Sequence, residues 1–311
     1  MKLSIVATLY QSAAHVEEFC RRAEEAARAH AADSFEIVLV NDGSEDASLA
    51  LALQVVDRSR HVVVVDLSRN FGHHKAMMTG LAHARGEQVF LIDSDLEEDP
   101  EWLRTFAARL AAENCDVVFG VQRSRKGGLF ERATGPLYYG AFRLLTDLEL
   151  PRDMVTARLM TRRYVDALLQ HRERELDIGG LWLVTGFKQM PEPVTKHSSS
   201  PTTYTLKRKI GLFVNTITSF TSQPLVYICY IGLAISLIAG AATIFLVFQW
   251  LFLAKPSSGW TSVMASIWLL GGWIILFLGI IGIYLSKMFL EIKRRPYTIV
   301  RRIYGAREHG D

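Results

Sequence analysis

The chain has 311 residues, half of them hydrophobic, and a formal net charge of +3 at pH 7. This length is sufficient for a large core and for more than one structural unit, and the small net charge argues against nucleic acid as the main partner. The charge is unevenly distributed, because no Asp, Glu, Lys or Arg occurs between Lys209 and Lys255 or between Lys255 and Lys287. The sequence therefore predicts a soluble front part and a membrane-embedded back part.

The cysteines and the N-terminus indicate a cytosolic front part. Cys20, Cys115 and Cys229 are far apart and lack metal-ligand spacing, which predicts free thiols in a reducing compartment, either buried or facing lipid. The apolar run at 3–7 follows Lys2 and is too short for a signal peptide. We expect it to form the first strand.

The front part alternates short apolar runs with longer amphipathic segments, which is typical of βαβ units around a parallel sheet. Strands are predicted at 3–8, 35–40, 62–67, 88–92 and 116–121, and helices at 13–30, 45–59, 72–84 and from residue 100. Residues 126–170 are predicted to be mainly helical, and 181–187 and 191–196 are candidates for further strands.

Polar segments follow three of the predicted strands: Asn41-Asp42-Gly43, Arg69-Asn70 and Asp93-Ser94-Asp95. In open α/β sheets, ligands bind beyond the carboxyl ends of the strands. Asp93 and Asp95 are spaced to hold Mg²⁺ or Mn²⁺ together with substrate phosphates. The alternative is a solvated acidic turn, which would have the same Asp-X-Asp sequence. His73 and His74 lack the additional ligands that zinc requires, and we interpret them as surface residues at a helix start.

Two spans are predicted at 225–253 and 263–285. At about 1.5 Å per residue they reach about 43 and 35 Å, enough to cross a hydrocarbon core of roughly 30 Å. The alternative, a buried helical core of a soluble protein, fits two charge-free stretches of this length poorly. The short connection, which contains Lys255, permits only an antiparallel hairpin, and the segment at 206–222 is predicted to lie in the membrane interface.

Basic residues lie at both outer ends of the hairpin, and the positive-inside rule therefore puts both termini in the cytosol. These residues are Lys207, Arg208, Lys209, Lys287, Lys293, Arg294, Arg295, Arg301 and Arg302. We interpret 291–311 as a basic cytosolic tail.

Several segments in this order resemble glycosyltransferase family 2. They are Val40-Asn41-Asp42-Gly43-Ser44, Leu67-Ser68-Arg69-Asn70-Phe71-Gly72, Asp93-Ser94-Asp95-Leu96, Arg158-Leu159-Met160-Thr161-Arg162-Arg163 and Ser219-Phe220-Thr221-Ser222-Gln223-Pro224-Leu225. The resemblance covers nearly the whole chain and is greatest to the polyprenyl-phosphate glycosyltransferases, the group that contains dolichyl-phosphate-mannose synthase. It implies a Rossmann-like GT-A domain of the α/β class at 1–205, followed by the interfacial segment and a two-helix hairpin within 223–290.

The resemblance also implies roles for individual residues. Asp42 would contact the base or ribose, Asp93 the ribose and metal, and Asp95 would be the principal metal ligand. The other residues implied in donor binding are Thr8, Leu9, Tyr10, Arg69, Lys75 and Ser94. The residues implied in catalysis are Asp95, Arg123, Arg125, Thr156 and Arg158, with the pair Arg123 and Arg125 meeting phosphate.

The sequence departs from the family pattern at several positions. The Gly-Asp-Phe-Arg of the family is replaced by Val155-Thr156-Ala157-Arg158, which removes an Asp that is often proposed as catalytic. A lipid phosphate is already anionic at neutral pH, so the reaction needs no strong base, and catalysis can depend on positioning and on a metal. Asp153 or Glu98 could assist. Gln223 replaces an arginine, and Thr8-Leu9-Tyr10-Gln11-Ser12 replaces Pro-Val-Tyr-Asn-Glu.

The resemblance implies inverting transfer of one sugar from a nucleoside diphosphate sugar, with UDP-sugar favoured, to a polyprenyl phosphate at the cytosolic face of the inner or plasma membrane. Two alternatives stay open: a processive polysaccharide synthase and an inactive family member that acts as a membrane scaffold. The synthase would carry a Gln-X-X-Arg-Trp motif, which this sequence lacks. Small residues near Gly232 and Gly240 permit a homo-oligomer without requiring one.

Overall fold

The computed structural model describes residues 1–122, 153–173, 177–197, 218, 221–252 and 259–305. They belong to two compact units, and each is described by itself. The first unit draws on 1–136, 149–204 and 295–311, and the second on 137–148 and 205–294. The chain therefore returns to the first unit after its most apolar segment.

The first unit contains a mixed sheet of eight described strands. They are β1 (Leu3–Leu9), β2 (Phe35–Asn41), β3 (Val62–Leu67), β4 (Gln88–Leu91), β5 (Val117–Gln122), β6 (Met154–Thr161), β7 (Gln189–Val194) and β8 (Val300–Tyr304). Their order is β7-β5-β6-β4-β1-β2-β3-β8. The first four strands are parallel to one another, β6 is antiparallel to both β4 and β5, and β8 is antiparallel to β3. The predicted α/β class with a Rossmann-like core is confirmed, with two antiparallel strands added to it.

Six described helices accompany the sheet: α1 (Val16–Ala31), α2 (Ser48–Arg58), α3 (His73–His83), α4 (Trp102–Glu113), α5 (Arg162–Leu168) and α6 (Ile178–Val184). Every residue of β1, β2 and β3 is buried, as expected when helices cover both faces of a sheet. In α1 the buried residues include Val16, Phe19, Ala23 and Ala27, which is the spacing of one helical face.

The second unit contains α7 (Gln223–Phe252) and α8 (Trp260–Ile292). Each holds a stretch apolar enough to cross a membrane, at 223–242 and 266–292, with mean hydropathies of 2.2 and 2.3. Large apolar side chains such as Leu237 and Ile275 are exposed along both helices, as expected for surfaces that face lipid. The prediction of two C-terminal helices that are apolar enough to span a membrane is confirmed, and the predicted span bounds, 225–253 and 263–285, stay predictions.

The predicted strand at 181–187 is wrong. This segment contains the last four residues of α6, at 181–184, followed by a turn at Thr185. Ile178, Leu181 and Trp182 are buried together, and their spacing of three and four residues is helical. The apolar run was too short for its composition to distinguish a strand from a helix.

The segment predicted as a basic tail includes strand β8, which pairs with β3. Val300 and Tyr304 are partly buried, whereas Arg301, Arg302 and Ile303 are exposed. The strand was not predicted because its arginines made the segment look like a solvated tail. An edge strand needs little burial and often carries basic side chains.

Two predicted features lie outside the described residues. They are the pair Arg123 and Arg125, and nearly all of the interfacial segment at 206–222.

Candidate active site

The polar segments singled out in the sequence lie at one edge of the sheet. Since β1 to β4 are parallel, their carboxyl ends share this edge. β6 is antiparallel to β4, with Arg158 opposite Leu91, and its first residues therefore lie at the same edge. The topology brings Thr156 to the end of β4, although about 60 residues separate them in the sequence.

The end of β4 carries the two aspartates at different depths. Ser94 is buried between them, and its hydroxyl donates to the carbonyl oxygen of Thr8 at 2.7 Å, which fixes the segment to β1. Asp95 is exposed, and its Oδ1 accepts from the N–H of Glu97 at 3.0 Å. Leu96 has a φ of +61°, in the left-handed region, where the chain turns sharply.

His73, the first residue of α3, connects the ends of two strands. Its Nδ1 is 3.0 Å from the hydroxyl of Thr8, and its Nε2 is 3.2 Å from Oδ1 of Asp93. Burial opposes the charged form of His73, but Asp93 and the more distant Asp42 and Glu98 raise its pKa above the ordinary value. His73 is exposed and opens α3, as predicted, and its ring also contacts Thr8 and Asp93.

Glu98 follows Asp95 by three residues and is fully buried. Its Oε1 accepts from the backbone N–H of Thr156 at 3.0 Å and lies 3.3 Å from Nζ of Lys196. Burial and the negative charge of Asp93 raise the pKa of Glu98 to about 7. Lys196 also lies 3.5 Å from Glu97, so one ammonium group counters several carboxylates.

The same neighbours set the charge of the two aspartates. Burial alone would raise the pKa of Asp93, but His73, the hydroxyl of Thr156 and Lys196 lower it below the ordinary value. Partial desolvation, together with the charge of Asp93, raises the pKa of Asp95. Asp93 is therefore ionised at neutral pH, and the two carboxylates repel each other.

Asp42 accepts hydrogen bonds from the backbone of the loop at 68–72. Its two carboxylate oxygens accept from the backbone N–H groups of Phe71 and Gly72 at 2.7 and 3.0 Å, and its side chain is buried. A Cβ atom on Gly43 would lie 2.4 Å from backbone atoms of Arg69 and Asn70. The loop at 68–72 therefore packs directly on the end of β2.

The other predicted donor residues differ in exposure. Tyr10 is exposed at the end of β1, whereas Leu9 is fully buried and belongs to the core. The guanidinium of Arg69 lies 4.1 Å from the ring centroid of Phe71 and is exposed. Lys75 lies in the first turn of α3 and is partly buried.

Arg158 is fully buried, and its guanidinium lies over the ring of Trp182. Burial lowers its pKa to about 9. Its two terminal nitrogens have no hydrogen-bond partner within the described part of the chain. Arg158 thus packs inside the protein, and its predicted role in catalysis stays a prediction.

Sequence reasoning did not consider Lys196, gave His73 no role beyond its place after Gly72 at a helix start, and considered Glu98 only as a possible assistant. His73 directly follows a polar strand-end segment and opens a helix, a position that could have indicated a site. Lys196 carries no such signal, because only the parallel pairing of β7 with β5 brings it to this edge.

A model of glycosyl transferase family 2 matches residues 4–169. A protein described as a glycosyltransferase in Mycobacterium tuberculosis is 51% identical over 98% of this chain and 89% of its own length. An undecaprenyl-phosphate 4-deoxy-4-formamido-L-arabinose transferase from Pseudomonas savastanoi is 29% identical over 97% of this chain and 90% of its own. A mannosyltransferase from Pyrobaculum calidifontis, solved with GDP-mannose and Mn²⁺, is 17% identical with a TM-score of 0.49, over 94% of this chain and 86% of its own.

The chain belongs to glycosyltransferase family 2. It is a glycosyltransferase with a GT-A-like mixed sheet and two C-terminal helices that are apolar enough to span a membrane. The predicted family and enzyme class are thus confirmed.

Proposed function

We propose that the protein transfers one sugar from a nucleoside diphosphate sugar, with UDP-sugar favoured, to a polyprenyl phosphate at the cytosolic face of the membrane. The observation that carries this proposal is the convergence of Asp93, Asp95, His73 and Lys196 at one sheet edge in a chain with two candidate spans. Relatives named undecaprenyl-phosphate transferases match along nearly the whole chain, including the spans, which supports a lipid acceptor.

The residues at the end of β4 fit a hard divalent cation, Mg²⁺ or Mn²⁺. Asp93 is ionised and Asp95 is exposed, and both offer the oxygen ligands that such ions prefer. Within the described ranges no three His, Cys, Asp or Glu side chains converge to hold a metal by themselves, so the diphosphate would complete the set. When bound, the cation would neutralise negative charge on the departing diphosphate.

The protein's own residues position the reactants. The loop at 68–72 and Tyr10 would receive the nucleotide, while Lys196 would balance the negative charge of the acidic groups around it. In the reaction an oxygen of the lipid phosphate bonds to the anomeric carbon, and the bond from that carbon to the diphosphate oxygen breaks with inversion. The nucleoside diphosphate leaves with the electron pair. Thr156 offers no base, and an anionic phosphate needs none.

The test is sugar transfer by the purified full chain in detergent. UDP-glucose, other UDP-sugars and GDP-mannose are offered with undecaprenyl phosphate, with and without Mn²⁺. We expect metal-dependent glycolipid with one class of donor and a loss of at least about 100-fold in Asp95→Asn, because one ligand of the group that stabilises the leaving charge is removed.

The matched control is Glu101→Gln, which removes an exposed carboxylate from the same segment and should keep wild-type activity. Equal activity of Asp95→Asn and wild type would contradict the site. Donor binding without product from any acceptor would instead favour the inactive scaffold.

A further inference from the structure

Strand β8 continues the sheet as far as the loop at 68–72. Ile303 lies opposite Val65, and Val300 lies opposite Leu67. The backbone N–H of Ser68 then donates to the carbonyl oxygen of Ile299 at 2.9 Å. The segment that follows α8 is therefore hydrogen-bonded to the first residue of the loop.

Arg301 of this strand holds the loop with its side chain. The guanidinium donates to the carbonyl oxygen of Ser68 at 2.6 Å and lies 3.4 Å from Oδ2 of Asp66. Asp66 is buried, and its Oδ1 accepts from the side-chain amide of Asn41 at 2.8 Å. A charge-assisted hydrogen bond is stronger than a neutral one, so Arg301 connects the outer edge of the sheet with the end of β2.

The loop is thus held from two sides. On the inner side, the carboxylate of Asp42 binds its backbone, and Gly43 allows close packing. On the outer side, Arg301 binds the carbonyl of Ser68. A second contact fixes the start of the C-terminal segment, because the hydroxyls of Thr298 and Thr79 lie 2.8 Å apart.

We infer that Arg301 is a positioning residue of the donor site, acting through the loop at 68–72, and that β8 is a structural part of that site. The inference rests on the proposed function, in which this loop receives the nucleoside diphosphate. A loop held in its bound conformation before binding loses less entropy when the ligand arrives. The loss of Arg301 should therefore weaken donor binding and leave the chemical step unchanged.

The test compares Arg301→Gln with Arg302→Gln in the full chain. Arg302 is the neighbouring arginine of β8, and its guanidinium lies 5.0 Å from the ring of Tyr304. Binding of UDP and of GDP, each with Mn²⁺, is measured by calorimetry. For Arg301→Gln we expect the Kd to rise about three- to tenfold, because the loop loses one or two of the hydrogen bonds that hold it in place. Arg302→Gln should keep the wild-type Kd.

Two further measurements separate positioning from general stability. Backbone hydrogen exchange in Arg301→Gln should accelerate in the peptide that covers 66–72 and not in the strands β4 to β6. The KM for the donor should rise with kcat unchanged, and Arg301→Lys should restore part of the affinity because it keeps one charged donor.

The outcomes are distinguishable. If wild type binds neither nucleotide, the proposed function and this inference are both wrong. If wild type binds one of them and Arg301→Gln binds it with an unchanged Kd, only the inference is wrong. Equal acceleration of exchange throughout the sheet would also contradict it.

Discussion

Glu98 is a buried carboxyl group close to the charge of Asp93, and its ionisation makes the stability of the protein depend on pH. Its pKa is about 7 in the folded protein, against an ordinary value of 4.5. Between these values the folded protein binds a proton that the unfolded chain does not bind. The free energy of unfolding therefore falls as the pH rises from about 4.5 to 7, by at most about 3 kcal/mol.

This dependence predicts a flatter stability profile for Glu98→Gln. Without metal, the wild-type unfolding temperature in detergent should fall between pH 5 and pH 8. Glu98→Gln keeps an acceptor for the N–H of Thr156 but cannot ionise, so its unfolding temperature should change less over this range. Thermal unfolding by scanning fluorimetry measures both profiles, and Glu101→Gln should follow wild type. A parallel fall in Glu98→Gln would show that other groups cause it.

His73 should affect cation binding through Asp93. Because Nε2 of His73 lies 3.2 Å from Oδ1 of Asp93 and holds this carboxylate in place, its removal should weaken binding of Mn²⁺ by about tenfold, as the loss of an outer-shell partner of a ligand does. His73→Gln keeps a donor and should lose less. Electron paramagnetic resonance measures unbound Mn²⁺ directly. An affinity no different from that of His74→Ala would contradict this role.

The sequence indicated part of the site at this scale. Asp93 and Asp95 could be found because they directly follow an apolar strand. The contact of Asp42 with the nucleotide stays a prediction, and in the structure its oxygens accept from backbone N–H groups of the loop. The local sequence around Asp93 and Glu98 does not reveal their hydrogen-bond and ion-pair partners, because Thr156 and Lys196 come from β6 and from just after the end of β7, in distant parts of the chain.

At the level of elements, the loop at 68–72 depends on close approach to Gly43. Gly43→Ala would place a Cβ atom 2.4 Å from backbone atoms of this loop, and the loop would have to move. Gly186→Ala is the matched control, because Gly186 has a similar φ of +74° with nothing within 4 Å. Both variants carry the cost of a Cβ atom at a positive φ, roughly 1 to 2 kcal/mol.

Only Gly43→Ala should weaken donor binding, and its unfolding free energy should fall by a further 1 to 3 kcal/mol or so, the usual cost of overpacking. Calorimetry and denaturant unfolding measure the two effects. Similar losses in both variants would mean that backbone strain, and not the close approach, is responsible.

Elements with strong patterns were predicted well, and those with mixed signals were not. The valine-rich β3 and the runs of β1 and β2 are buried on both faces, so their sequences are apolar throughout. Helix α6 is seven residues long and was read as a strand, and β8 is an exposed edge strand with two arginines. Whether α6 and β8 form depends on contacts with distant segments of the chain, which the local sequence does not reveal.

For the whole molecule, the distribution of basic residues predicts the orientation in the membrane. With both termini in the cytosol, the connection between the spans faces the opposite side. In a variant whose native cysteines are replaced by serine, Ser258→Cys should react with a membrane-impermeant maleimide added to intact cells. Gly310→Cys should react only after the cells are opened. The reverse pattern would contradict the cytosolic site.

The pairing of β8 with β3 joins residues about 235 positions apart in the chain. During synthesis, β3 emerges early, but its partner emerges only after both apolar helices have been made. The catalytic unit therefore cannot complete its own sheet before the hairpin exists, and an unpaired strand edge persists until then. If the proposed function holds, membrane insertion and completion of the donor site are in this way coupled in time: a nascent chain that stalled before β8 would have both apolar helices but an incomplete nucleotide site.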